Sequence, residues 1–345
     1  MFRLLSVAAV AVLAAVAPAQ KPPPKIKGKP TPDLVSIDPK FHVHDLAFSP
    51  DGSRLLMSGA NKEIVSWVRA EKEGTYLKLH SDHVYGLAFS PDGTTFATGG
   101  NDSLIGIWDA AENEEKGLIK KHTDKVYGVA FLPDGKRLVS VGEDGLAAVW
   151  TVATRKPVAQ LDYNGKLTAL AVAPDGSRVA FANTVGRVYF WDLTSPRQVL
   201  HAEPQPKVEG EQAIWRLSYR PDGKAVAGVD EAARLAVWDA TTGGVTRLLA
   251  GLKPTVARYS PDGKYLAVGF SDGMVRMYDP TGEKKLGELK CSEGHTIREM
   301  TFSPDSTVLA ISDTYRYTVD VRSVRSLLVL KGPDEVKIAT EVPGR

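Results

Sequence analysis

Short apolar runs recur along this chain, each alternating along its length and each cut by the same polar punctuation. In Val84-Tyr85-Gly86-Leu87-Ala88-Phe89 the residues Leu87 and Phe89 stand two apart, the period of a strand. The matching pairs elsewhere are Leu46 and Phe48, Val129 and Phe131, Leu170 and Val172, Leu217 and Tyr219, Ala257 and Tyr259, and Met300 and Phe302. Each run closes on a Pro-Asp pair, at Pro50, Pro91, Pro133, Pro174, Pro221, Pro261 and Pro304. Gly follows in every copy except the last, Pro304-Asp305-Ser306. Proline presets one turn dihedral and Gly accepts a positive one, so each run is a strand entering a tight turn. Apolar residues on the opposite face predict a sheet covered on both sides.

The prolines lie 41, 42, 41, 47, 40 and 43 residues apart. Adding 17 to each lands on Trp67, Trp108, Trp150, Trp191, Trp238, Tyr278 and Val321. A fixed internal distance inside a variable outer period marks one supersecondary unit per copy, with length changes confined to the connections. Four strands fit each unit, in the second copy at roughly 84–89, 95–99, 104–109 and 115–120; they are called here inner, second, third and outer. One such sheet cannot bury both its faces, whereas a closed ring gives every sheet two neighbours. The predicted fold is all-β: a seven-bladed β-propeller of four-stranded antiparallel blades over residues 33–332, with essentially no helix. Either Asp33–Asp38 or Arg325–Lys331 is suited to supply the last outer strand, and residues 333–345 form a C-terminal tail.

The run from Val84 to Pro91-Asp92-Gly93, closing on Ile107-Trp108-Asp109, resembles the WD-repeat β-propeller family. The Trp-Asp pair stands at 108–109, 191–192 and 238–239, with Tyr278-Asp279 close; three copies depart, with Trp67-Val68, Trp150-Thr151 and Val321-Arg322. The resemblance implies a buried relay from Asp through His and a Ser or Thr hydroxyl to the indole N–H. Its members would be His80, Thr98, Asp102 and Trp108 in the second blade, and His122, Ser140, Asp144 and Trp150 in the third. A fully paired buried network of this kind is structural. His, Asp and Ser are also the ingredients of a nucleophilic triad, yet here they occur twice and face into a sheet. Gly269-Phe270-Ser271-Asp272-Gly273 spells a nucleophile elbow, which requires a strand-to-helix turn, but it falls between two strands. No catalytic residue is assigned.

The resemblance further implies that the rim where the inner strands begin contacts partners. Six residues before each proline stand His44, Tyr85, Tyr127, Thr168, Trp215, Thr255 and Arg298. Eight before it stand His42, His83, Lys125, Lys166, Ala213, Lys253 and Thr296. Aromatic residues and Arg are the types enriched at binding hot spots. The candidate partner-binding set is therefore His44, Tyr85, Tyr127, Trp215 and Arg298 with Lys125, Lys166 and Lys253, suited to an anionic or mixed apolar-acidic ligand. His42, His44 and His83 lack a Cys or carboxylate at matching spacing, so no metal is expected, and no cofactor is implied. The polar insertion from His201 to Gln212 is a further place for specificity.

Composition adds a compartment and removes some partners. A net charge of +2 is too small to argue for nucleic acid or an acidic membrane surface. Arg3, the apolar run Leu4–Val16 and then Ala17-Pro18-Ala19 have the layout of a secretory signal peptide over residues 1–19. About 13 apolar residues fall short of the ~20 that cross a bilayer, so no stable membrane insertion is expected. Residues 20–32, with Lys21-Pro22-Pro23-Pro24-Lys25, read as an extended Pro/Lys-rich tether. The lone Cys291 forms no internal disulfide, leaving stability to the ring core. The sequence reads as a secreted or periplasmic, non-catalytic binding scaffold for a protein partner. The competing reading is a lactonase- or hydrolase-like propeller, or the substrate-gating propeller of an exported peptidase.

Overall fold

Each Pro-Asp-Gly turn is closed by its own side chains. In the first blade Ser49 Oγ donates to Asp51 Oδ1 at 2.5 Å and accepts from the Arg54 N–H at 3.0 Å, while Gly52 takes a φ of 69°. Ser306 occupies the same left-handed position at 58° in the last copy, and its hydroxyl accepts from the Asp262 N–H of the neighbouring blade at 3.1 Å. That bond offsets part of the strain a Cβ brings to this conformation.

The computed structural model describes residues 34–69, 71, 74–195, 199–202, 212–249 and 251–328. The strands assemble into seven four-stranded antiparallel sheets, each running inner, second, third, outer. The inner strands are Val43–Phe48, Val84–Phe89, Val126–Phe131, Leu167–Val172, Ile214–Tyr219, Pro254–Tyr259 and Ile297–Phe302, defining blades 1 to 7. Closure is by Leu34–Ile37, which pairs with Val319–Ser323 as the outer strand of blade 7, and Ser36 Oγ donates to Asp320 Oδ1 across that pair. The other segment suited to that place begins as a helical turn, Val324–Leu327, whose Val324 and Leu327 are buried against blade 6. It is the one helix among the described residues. The apolar run Leu4–Val16, the tether, most of the His201–Gln212 insertion and the tail 333–345 lie outside the described residues.

Apolar side chains gather between blades rather than in one central core. Leu56, Ile64 and Leu77 of blade 1 pack on Val84, Leu87, Phe96 and Trp108 of blade 2. The same arrangement continues around the ring, to Val308, Ala310, Val319 and Val321 of blade 7 packed on Val43, Leu55, Met57 and Trp67 of blade 1. Every blade therefore buries two faces, which explains why the strands are apolar on both.

Candidate functional site

The inner strands share one irregularity. In all seven the pairing register with the second strand slips across the residue six before the proline: Val43/Asp45, Val84/Gly86, Val126/Gly128, Leu167/Ala169, Ile214/Arg216, Pro254/Val256 and Ile297/Glu299. His44, Tyr85, Tyr127, Thr168, Trp215, Thr255 and Arg298 are thus the bulged residues, freed from the ladder and re-aimed. Two positions earlier, a backbone carbonyl fixes the strand entry. His42, His83, Lys125, Lys166, Ala213, Lys253 and Thr296 each accept from an amide of the second-to-third turn, at 2.8–3.1 Å in blades 1, 2, 3, 5, 6 and 7 and 3.2 Å in blade 4.

The bulged side chains converge over the mouth of the channel. His44 stacks on Tyr85 with centroids 4.9 Å apart, Tyr85 meets Tyr127 at 5.1 Å, and Tyr127 meets Trp215 edge-on at 5.3 Å. Tyr127 of blade 3 reaches Trp215 of blade 5 because the residue between them is small. Thr168 turns its hydroxyl away and donates to the Ile214 carbonyl at 2.6 Å, and Thr255 does the same to Ile297 at 2.7 Å. Along the arc exposure rises from 8% at His44 to 39% at Trp215, so His44 is a floor and Trp215 an accessible anchor. Burial, and then the guanidiniums of Arg298 and Arg216, push the His44 imidazole down to about 3, leaving it neutral. Among the described residues no three His, Cys, Asp or Glu side chains are grouped to hold a metal ion.

The basic candidates do not act alike. Lys125 and Lys166 both pair with Glu143, at 2.8 and 2.5 Å, and the Tyr127 hydroxyl donates to the same carboxylate at 2.9 Å. Hydrogen bonds from Lys125 and Lys166 hold the Glu143 carboxyl down at about 2, while burial, and then the bond to Glu143, push the Tyr127 phenol up. Lys253 and Arg298 are exposed and make no side-chain hydrogen bond or ion pair among the described residues.

Below the mouth lies a charged cluster that sequence reasoning missed. Five residues before the proline, where blades 2, 3, 4 and 6 carry Gly86, Gly128, Ala169 and Val256, blades 1, 5 and 7 carry Asp45, Arg216 and Glu299. Glu299, 1% exposed, accepts from Arg216 Nε and from Arg258 at 2.6 Å, and Arg216 also donates to the His44 carbonyl. Asp45 accepts the Leu46 and Leu87 N–H groups at 2.9 and 2.8 Å, and burial pushes its carboxyl up against the pull of Arg216. Charge at a position that is small or apolar in the other blades was the available signal. Glu143 and Glu231, which accepts from the Trp215 indole at 2.9 Å, sit in turns where acidic residues are common and gave none.

The relay residues lie away from the mouth, inside blades 2 and 3. His80 contacts Asp102 at 2.9 Å and Thr98 at 2.7 Å, and the Trp108 indole donates to Thr98 at 3.1 Å. His122 contacts Asp144 at 3.0 Å and Ser140 at 2.8 Å, and Trp150 donates to Ser140 at 2.8 Å. The close approach requires glycine behind each histidine: a Cβ on Gly100 would stand 2.3 Å from His80 Nδ1, and one on Gly142 2.7 Å from His122 Nδ1. In blade 4 Tyr163 takes the place of the histidine and its hydroxyl meets that of Tyr189. Ser271, of the elbow-like sequence, sits in a strand-to-strand turn between Leu266–Phe270 and Met274–Tyr278.

Residues 42–320 match the family described as IFT122 first beta-propeller. Eukaryotic translation initiation factor 3 subunit I of Emericella nidulans is 35% identical over 80 residues, which are 23% of this chain and 24% of that protein. The match thus spans about a quarter of that relative's length. Two solved structures, titled Structure of U3-55K and Crystal structure of RRP9 WD40 repeats, each align with a TM-score of 0.75 at 18% identity, covering 84% of this chain and 98% and 97% of theirs. At that identity they establish the fold alone. The family match runs from the start of blade 1 into the third strand of blade 7, nearly the whole ring, and the chain belongs to the IFT122 first beta-propeller family of WD-repeat propellers.

Proposed function

We propose that this chain is an exported, non-catalytic binding scaffold that receives a protein partner at the mouth of its ring. The observation that carries the reading is the set of seven bulges, which turn His44, Tyr85, Tyr127, Trp215 and Arg298 toward one place while the strands beneath stay paired. Rigid aromatic side chains bury much area at low entropic cost, which suits them as anchors. That one similar protein is described as a subunit of a translation initiation factor, a component of an assembly, agrees with a scaffold role. Nucleic acid is not proposed as the partner: Lys125 and Lys166 are both engaged by Glu143, and the net charge of the chain is only +2.

The test is a pull-down from exported protein extracts with the mature chain as bait, followed by affinity measurements on the recovered partner. Trp215→Ala with Tyr127→Ala should cost about 2 kcal/mol or more of binding at equal folding. Unaltered affinity moves the site to another face. Export rests on Arg3, Leu4–Val16 and Ala17-Pro18-Ala19. N-terminal sequencing of the protein from culture medium or periplasm should begin at Gln20, and retention of the intact amino terminus in the cytoplasm refutes it. Turnover in a screen of esters, lactones and peptides would overturn the non-catalytic part.

A further inference from the structure

The mouth is divided chemically. Blades 1 to 3 supply His44, Tyr85 and Tyr127, with His44 neutral and both nearby lysines held in ion pairs by Glu143. Blades 5 to 7 supply Trp215, Lys253 and Arg298 in succession, and here two exposed cations make no ion pair among the described residues. The carboxylates of the second-to-third turns on this side are already engaged, Glu231 by the Trp215 indole, Asp272 by Arg276 and Asp313 by Arg316. Beneath, Arg216 and Arg258 are matched by Glu299 and Asp45, so the buried cluster offers Arg298 no spare carboxylate. Partial burial of the Arg298 side chain, and then repulsion from Arg216, disfavour its charge by more than the attraction of Glu299 restores. An anion arriving from outside supplies an attraction that offsets these penalties. Arg presents a planar fork that takes a carboxylate in bidentate fashion, and the exposed Trp215 indole on the same mouth suits an apolar side chain.

The geometry points to a peptide partner that places an acidic side chain on Arg298 and a neighbouring apolar side chain on Trp215. This rests on the proposed binding role of the mouth and names the partner chemistry within it. Lys253 adds attraction at longer range, so association slows as salt is raised.

The test uses the full chain and an array of terminally blocked ten-residue peptides, each with a central Glu flanked by Leu or Trp, paired with Glu→Gln and Glu→phosphoserine counterparts. The Glu peptides should bind wild type about tenfold or more tighter than the Gln peptides, the factor one charge-assisted contact supplies. That preference should vanish in Arg298→Ala and shrink in Arg298→Lys, while Trp215→Ala weakens Glu and Gln peptides alike. Equal binding of Glu and Gln peptides, still lost in Trp215→Ala, overturns the acidic partner and leaves the mouth as a binding site. Peptide binding indifferent to both Arg298 and Trp215, or no binding across the array, overturns the inference. Phosphoserine peptides bound more tightly than Glu peptides, again through Arg298, replace the carboxylate by a phosphate ligand.

Discussion

Replacing His122 by Ala removes the middle of a buried hydrogen-bond chain and leaves its two ends in place. With Asp144 accepting from Nδ1–H at 3.0 Å, the other ring nitrogen accepts the Ser140 hydroxyl proton at 2.8 Å, and Ser140 Oγ accepts from the Trp150 indole at 2.8 Å. Ser140 is fully buried and Trp150 is 1% exposed, so bulk water does not reach this pair in the intact blade. The stranded Ser140 donor costs about 1–3 kcal/mol, and loss of the bond to the Asp144 carboxylate adds about 1 kcal/mol. Asp144 keeps the Thr123 and Leu146 N–H groups at 2.9 and 3.1 Å, which limits that second cost. The sum is about 2–4 kcal/mol, or roughly 4–8 °C of melting temperature for a domain of this size. The assay is thermal unfolding of His122→Ala, Ser140→Ala and the double variant. The double should cost clearly less than the two singles together, because without Ser140 there is no donor left to strand. A midpoint within about 1 °C of wild type, or strictly additive losses, would falsify the relay as a source of stability.

Three further outcomes test the parts around it. A carbon-13 titration of the Glu143 carboxyl should give a midpoint of about 2; since 4.5 is the ordinary value, its stabilisation is complete above 4.5 and lost as pH falls toward 2, and a midpoint near 4.5 would mean the Lys125 and Lys166 bonds do not form in solution. Glu299→Gln leaves Arg216 and Arg258 without their shared carboxylate and should destabilise the ring by about 3 kcal/mol or more in a denaturant melt, whereas an unchanged midpoint would show that the cluster is solvated. Ile37→Ala, in the closing strand and 8% exposed, should cost about 2 kcal/mol and expose the edge of blade 7, seen as faster proteolysis; no effect would show that the ring closes without Leu34–Ile37.

Seven blades were legible because the Pro-Asp-Gly turn and the third-strand Trp obey local rules. A turn needs its φ and its Asp, whatever lies across the ring. The face of the mouth was legible in outline for the same reason, since counting back six residues from a proline finds the same place in every blade. Three things were hidden because they depend on chain segments far apart. Glu143 is adjacent in sequence to the relay residue Asp144, and only folding shows that it, and not a partner, absorbs Lys125 and Lys166. Arg216 and Glu299 lie 83 residues apart and meet only because the ring is closed. The choice between Asp33–Asp38 and Arg325–Lys331 for the last outer strand was set by pairing with Val319–Ser323, where both segments carry apolar residues enough. The bulge does leave a trace, a break of phase: the buried pairs Val43 and Leu46, Val84 and Leu87, and Ile297 and Met300 stand three apart, where unbroken alternation requires an even number.

The unpaired residue at each bulge has a consequence for how such a ring changes over time. A substitution there leaves the ladder intact, so the usual coupling between fold stability and surface chemistry is loosened wherever the side chain does not itself bridge two blades. Two of the seven are committed to joining blades, through the Thr168 and Thr255 hydroxyls. The other five can be rewritten one at a time, each delivering its side chain to the same small area. A ring built this way is a chassis with a replaceable dial, and exchanging those five residues between such chains should transfer recognition without transferring the rest of the protein.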